Sequence, residues 1–180
     1  FVGDRSMDED GSLNFLLSAS DVEGDVLNYS ITEGSQIAAI LEGNDLTFAP
    51  NQDFNGSESF TATVTDDEYT SSQTFTVTVN AVNDAPVAYD DTIMVDHNTD
   101  FVGALIASDV DDMEYSFYPL NNPSNGIVTV SVEGLFVYSP TTDYSGSDSF
   151  TFIVCDYSLC DTATILITIH PLSIDEASLP

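Results

Sequence analysis

Carboxylates dominate the chemistry available to this chain. It carries 31 Asp and Glu against a single base, Arg5, for a formal charge of −30 over 180 residues. The acids gather in short runs: Asp8-Glu9-Asp10, Asp21-Val22-Glu23-Gly24-Asp25, Asn83-Asp84 and Asp109-Val110-Asp111-Asp112. Such clusters repel themselves unless cations or high salt offset them. Oxygen-only donor sets suit a hard divalent ion such as Ca²⁺, which takes roughly six to eight oxygens. Neither acidic loop fits the helix-flanked EF-hand pattern. The competing reading is a solvated surface adapted to salt. Nucleic acid is excluded as a partner, because nothing could neutralise phosphates. Anionic membrane surfaces are disfavoured for the same reason.

Other reactive side chains are few. The two cysteines, Cys155 and Cys160, flank Asp156-Tyr157-Ser158-Leu159. A turn there sets them opposite each other at bridging distance, so a disulfide is favoured over two half-buried free thiols. Neither His97 nor His170 is near them in sequence, which leaves a zinc site short of ligands. No acid pair stands out as general acid and base, and two isolated histidines make no triad. The reading is therefore not an enzyme. Asn28-Tyr29-Ser30 and Asn55-Gly56-Ser57 match the glycosylation acceptor pattern, although Asn55-Gly56 is better explained as a turn. Tyr69, Tyr144 and Tyr157 fall in loops, where packing over a domain end is the plainer role than stacking on sugar.

The elements that must position these residues are strands. Ser59 to Thr65 and Thr74 to Val79 alternate apolar residues with Thr or Ser, the period of a half-buried strand. Ser149 to Val154 and Thr162 to Ile169 repeat the pattern. Further strands are expected at Leu13–Ser18, Val26–Ile31, Ile37–Leu41, Asp45–Phe48, Ile93–Val95, Phe101–Ile106, Glu114–Phe117, Ile127–Val132 and Leu135–Tyr138. No segment keeps a helical period, and no apolar run approaches a membrane span. Short strands separated by Gly, Asn and Asp indicate antiparallel sandwiches.

One segment occurs twice. Leu46 to Thr61 returns as Phe136 to Thr151, 90 positions on, with Pro50, Asp53, Gly56, Ser57, Ser59, Phe60 and Thr61 matched by Pro140, Asp143, Gly146, Ser147, Ser149, Phe150 and Thr151. A repeat of that length is a whole domain. The boundary falls in Asn80 to Ala88. This gives domain one over 1–82, a linker over 83–88, domain two over 89–171 and a tail over 172–180 that starts another linker. Nine residues with Pro86 make a short joint, so the domains are expected end to end. The abrupt start at Phe1, without Met or signal peptide, reads as an excised or processed piece.

Asp8-Glu9-Asp10-Gly11-Ser12, the loop Ser18 to Asp25, its second copy Ala107 to Asp112, Asp53 to Phe60 and Asn83-Asp84-Ala85-Pro86-Val87 resemble the bacterial cadherin-like and immunoglobulin-like tandem repeats of large surface and secreted proteins. The resemblance implies an all-β chain of two tandem seven-stranded Greek-key sandwiches. It also implies Ca²⁺ at the joint, held by Glu9 and Asp53 from domain one, Asn83 and Asp84 from the linker, and Asp109, Asp111 and Asp156 from domain two. Asp21, Glu23 and Asp66 would serve the same role toward a preceding domain. The second repeat departs from the pattern at its start, where Asp96-His97-Asn98 replaces the acidic run and Gly24 has no counterpart. The function implied is an extracellular, cell-surface spacer or adhesive module of a secreted bacterial protein in a marine setting, stiffened by calcium, with neighbouring repeats as partners. Two alternatives stand beside it. One is a carbohydrate-binding accessory module, which predicts coplanar exposed aromatics. The other is a filament subunit, which predicts that Phe1 to Met7 or Leu172 to Pro180 lacks a partner in its own domain.

Overall fold

A computed structural model describes residues 2–111 and 113–171. The tail over 172–180, Phe1 and Asp112 lie outside the described residues. The chain divides into two compact units, Phe1–Val82 and Asn83–Pro180.

Unit 1 has seven strands: β1 (Arg5–Asp8), β2 (Leu13–Leu16), β3 (Asn28–Ile31), β4 (Ile37–Glu42), β5 (Asp45–Pro50), β6 (Gly56–Thr65) and β7 (Thr70–Asn80). They form a four-stranded sheet in the order β1-β7-β6-β3 and a three-stranded sheet in the order β2-β5-β4. The chain crosses between the sheets from β1 to β2, β2 to β3, β3 to β4 and β5 to β6, and the two layers bury apolar side chains between them. Phe60, Phe75 and Val77 point inward from one sheet, and Ile37, Leu46 and Phe48 from the other. Phe48 and Phe60 meet with ring centroids 4.6 Å apart. The outward Ser and Thr of β6 and β7 pair across the ladder, as in Thr61–Thr74 at 2.9 Å and Thr63–Ser72 at 2.9 Å.

Unit 2 repeats this plan with β9 (Asp91–Asp96), β10 (Phe101–Ala104), β12 (Ser116–Pro119), β13 (Gly126–Val130), β14 (Leu135–Pro140), β15 (Gly146–Cys155) and β16 (Cys160–His170). Its sheets run β12-β15-β16-β9 and β10-β14-β13. Two short strands, β8 (Val87–Ala88) and β11 (Ala107–Ser108), add an antiparallel ribbon that the sequence pattern does not reveal. Phe136, Tyr138, Phe150, Phe152 and Ile165 fill the core. Burial, first, and the Asp148 carboxylate hold the Tyr138 hydroxyl well above its ordinary pKa.

The expectation of purely antiparallel sandwiches needs correction. β1 runs parallel to β7, with Met7 opposite Val79, and β9 runs parallel to β16, with Val95 opposite Ile169. Alternation marks a strand but not its direction, and β1 is too short to show the pattern. The parallel closure means that the chain enters each unit at one end and leaves at the other.

The duplicated segment is a turn with special backbone needs. Asp53 (φ 56°) and Asp143 (φ 62°) are left-handed, and Gly56 and Gly146 have φ of 146° and 136°. A Cβ on Gly56 would lie 3.0 Å from the Phe54 ring, and one on Gly146 would lie 3.1 Å from the Tyr144 hydroxyl. Short polar Asp tolerates the left-handed region and Gly accepts the rest. Two residues later, Glu58 takes the N–H groups of Ser35, Gln36 and Ile37. Asp148 does the same for Ser124 and Asn125. Burial pushes the Glu58 carboxyl up, but its bonds from the Ser35 hydroxyl and these N–H groups outweigh that and hold it below the usual range.

Candidate metal centre

The expected ligands fall into three groups. In unit 2, the turn between β15 and β16 is shaped by Asp156, whose Oδ1 accepts the N–H groups of Ser158 and, at 2.7 Å, Leu159. Its Oδ2 accepts the Asn83 amide at 2.9 Å. The Leu159 and Ser158 N–H groups and the Asn83 amide hold its pKa below the usual carboxylate range. Next along the chain, the Asp84 N–H donates to Asp111 Oδ2 at 2.8 Å, and the Asp111 N–H donates to Asp109 Oδ1 at 2.9 Å. One polar network therefore joins Asn83, Asp84, Asp109, Asp111 and Asp156. These residues come from three separate stretches of sequence. Ala88 N–H to Asp161 Oδ2 at 2.9 Å fixes the segment that follows.

In unit 1, Glu9 follows β1 and is 4% exposed. Its N–H donates to the Asn80 carbonyl at 3.0 Å, and its Oε1 accepts the Val82 N–H at 2.6 Å. That ties Glu9 to the residue just before Asn83. Glu9 Oε2 is buried without a hydrogen-bond partner among the described residues. Leaving a carboxylate oxygen in that state is costly unless a cation or water satisfies it. Asp10 follows Glu9 in sequence, and carboxylate oxygens of Asp10 and Asp53 lie within 4.8 Å of each other. Asp10, left-handed at φ 61°, is absent from the set read from sequence, and the Asp8-Glu9-Asp10 run was the signal for it.

The third group is Asp21, Glu23 and Asp66. Asp21 Oδ1 takes the N–H groups of Gly24 and Asp25, at 2.7 and 3.0 Å. The Asp25 N–H is the chief reason its pKa sits low. Asp66 Oδ1 takes the N–H groups of Glu68 and Tyr69. Asp21 and Asp66 line one depression with Ser20 and Tyr69, while Glu23 is exposed and does not line it. All three groups are oxygen-only, as a hard divalent ion requires.

Cys155 and Cys160 are bonded, with the sulfurs 2.02 Å apart, and stand directly opposite each other at the end of the β15–β16 hairpin. The tyrosines divide. Tyr144 packs against the core and bonds the Ser147 carbonyl. Tyr69 and Tyr157 are 71% and 100% exposed, so the expected packing over a domain end does not occur for them.

The bacterial Ig domain model matches this chain twice, over residues 2–80 and 83–168. The chain belongs to the bacterial Ig domain family. Its two bacterial Ig repeats resemble cadherin domains in fold. Human protocadherin-24 EC1-2 matches with a TM-score of 0.56 at 17% identity, covering 88% of this chain and 88% of that one. Drosophila N-cadherin EC1-4 matches with a TM-score of 0.56 at 17% identity, covering 93% of this chain and 47% of that one. The chain spans 28% of an endo-fucoidan hydrolase of glycoside hydrolase family 107, at 19% identity and a TM-score of 0.43. No curated protein sequence matches it. Bacterial Ig domains are usually extracellular structural modules and typically non-catalytic. The disulfide accords with an oxidising exterior, and no described helix is long and apolar enough to cross a membrane.

Proposed function

We propose that the two bacterial Ig repeats act as a calcium-stiffened spacer within a larger cell-surface or secreted bacterial adhesin, with no turnover of their own. In this reading Asn83, Asp84, Asp109, Asp111 and Asp156 of the second repeat contribute to Ca²⁺ binding, and so do Glu9, Asp10 and Asp53 of the first. Asp21, Glu23 and Asp66 do so toward a repeat before the first. The observation that carries the reading is Glu9: a buried carboxylate with one unpartnered oxygen, hydrogen-bonded to the last residue of its own unit. With one base in the whole chain, a cation from solution is the available counter-charge. When bound, Ca²⁺ would supply positive charge and oxygen coordination, opposing the mutual repulsion of these acids.

Small-angle scattering and thermal melts in EGTA and in millimolar CaCl₂ test this. Calcium should lengthen the maximum dimension and raise the melting temperature, and Asp111→Ala should weaken both responses. Identical scattering and melting with and without calcium would reduce the acidic loops to a solvated, salt-adapted surface.

A further inference from the structure

We propose that Asn55 is a site of spontaneous deamidation, and that the fold exposes it while protecting the other Asn-Gly pair, Asn125-Gly126. In the reaction the backbone nitrogen of the following residue attacks the side-chain amide carbon. A C–N bond forms, the amide nitrogen leaves as ammonia, and a five-membered succinimide results. Water then adds to either ring carbonyl and opens it to aspartate or isoaspartate. Water is the sole co-reactant. A following Gly leaves the attacking nitrogen uncrowded, and the chain has two such pairs. The reaction also needs an asparagine side chain that can swing and a backbone that can rotate.

Neither asparagine side chain is hydrogen-bonded among the described residues and both glycines open a strand, Gly56 opposite Val79, so the pairs differ in exposure and in what holds the asparagine backbone. Asn55 is exposed and lies in the turn between the left-handed Asp53 and Gly56. Its side chain makes no hydrogen bond among the described residues, whereas the Asn51 amide in the same turn is held by Gln36 at 3.0 Å. Asn125 is half-buried and bonded on both sides of its backbone. Its N–H donates to Asp148 Oδ2 at 2.9 Å, and its carbonyl accepts from Thr141 N–H at 2.8 Å and from the Tyr138 hydroxyl. Gly126 then starts β13 opposite Pro140, so close beneath the Tyr138 ring that a Cβ would lie 2.4 Å from it. Cyclisation at Asn125 first requires opening these bonds, and that opening free energy adds to the barrier. Conversion at Asn55 should therefore outpace that at Asn125 by about tenfold or more, the factor that 1.4 kcal/mol of opening would give.

The product places a new carboxylate two residues from Asp53, in the first repeat alone, since the second has Ser145 at the matching position. Any effect on cation binding rests on the function proposed above, but the modification itself does not.

The full chain is incubated at mildly alkaline pH in buffer and in concentrated urea. Chymotryptic peptides are then followed by mass spectrometry, with aspartate and isoaspartate forms separated chromatographically. In buffer the peptide holding Asn55 should gain the deamidation mass first, with Asn125 lagging by about tenfold or more. In urea, where both backbones are released, the two rates should converge. Asn55→Ser should abolish the fast conversion. Isomerisation at Asp10-Gly11 leaves the mass unchanged and does not interfere. Equal rates in buffer, a faster Asn125, no conversion at Asn55, or an equally large gap in urea would each overturn the proposal.

Discussion

The two repeats share a core and a turn but differ in three places that can be read position against position. At the tip of the last hairpin, Cys155 and Cys160 are bonded in the second repeat, where the first has the ladder pair Thr65 and Thr70 with their hydroxyls hydrogen-bonded at 3.2 Å. After the first strand of the four-stranded sheet come Glu9 and Asp10, and Asp10 stands beside Asp53. Their counterparts His97 and Asn98 stand beside Asp143. Asn98 exchanges two hydrogen bonds with Asp143, at 3.2 and 2.9 Å, and His97 Nε2 lies 3.7 Å from its carboxylate. On the outer face of the three-stranded sheet, Asn14, Asp45 and Thr47 form a hydrogen-bonded patch in the first repeat. The second repeat has Val102, Leu135 and Val137 there. The lesson is that both repeats hold to one interior while their loops and outer faces diverge. The first repeat ends in unsatisfied acid, and the second ends in a network that satisfies itself.

The largest test of this comparison attacks the shared interior. Phe150→Ala should cost the second repeat about 3–5 kcal/mol, as truncation of a fully buried Phe does. Phe60→Ala should do the same to the first. Because each unit has its own core, calorimetry should show one transition displaced and the other nearly in place. A joint shift of both would mean that the repeats fold as one body.

Reducing the disulfide should cost the second repeat about 2 kcal/mol, the entropic value of a short closed loop. The first repeat should not respond, since its matching pair is Thr65 and Thr70. The check is the melting profile with and without reductant.

A smaller effect separates the two acidic ends. With Ca²⁺ at about tenfold over a dissociation constant, binding stabilises by about 1.4 kcal/mol. Asp53→Asn keeps a residue that tolerates the left-handed backbone and should remove part of that gain. Asp143→Asn should leave the calcium response unchanged, which titration calorimetry can read for both variants. Equal losses would erase the distinction between the ends.

The smallest effect is on acid stability. Asp21, Glu58 and Asp156 all have folded pKa values below their ordinary ones. Their contribution is therefore present above the ordinary carboxylate range and is lost as pH falls through it toward the folded values. Melting temperature should drop on acidification through that window. Glu58→Gln should flatten part of the drop in the first repeat, and Asp156→Asn part of it in the second.

Composition, period-two alternation and the duplicated segment were enough to read two all-β domains. Alternation follows from burying one face, and that is a local property of the chain. Strands such as Ser59 to Thr65 and Thr162 to Ile169 were legible for this reason, as was the turn built on Asp53 and Gly56, where backbone conformation selects the residue type. Residue types also marked Asp109, Asp111, Asp156 and Asn83-Asp84 as acidic loops. Pairing direction was not legible, because the parallel match of β1 with β7 joins residues about 70 positions apart and leaves no mark on either strand. Nor were β8 and β11, which are too short to show a period. Only the tertiary structure showed that Asp156 reaches Asn83, that Asp84 reaches Asp111, and that Glu9 is buried with an oxygen left over. Those facts depend on distances between segments far apart in sequence. The same holds for the two Asn-Gly pairs, identical as dipeptides and distinguished by what surrounds them in the fold.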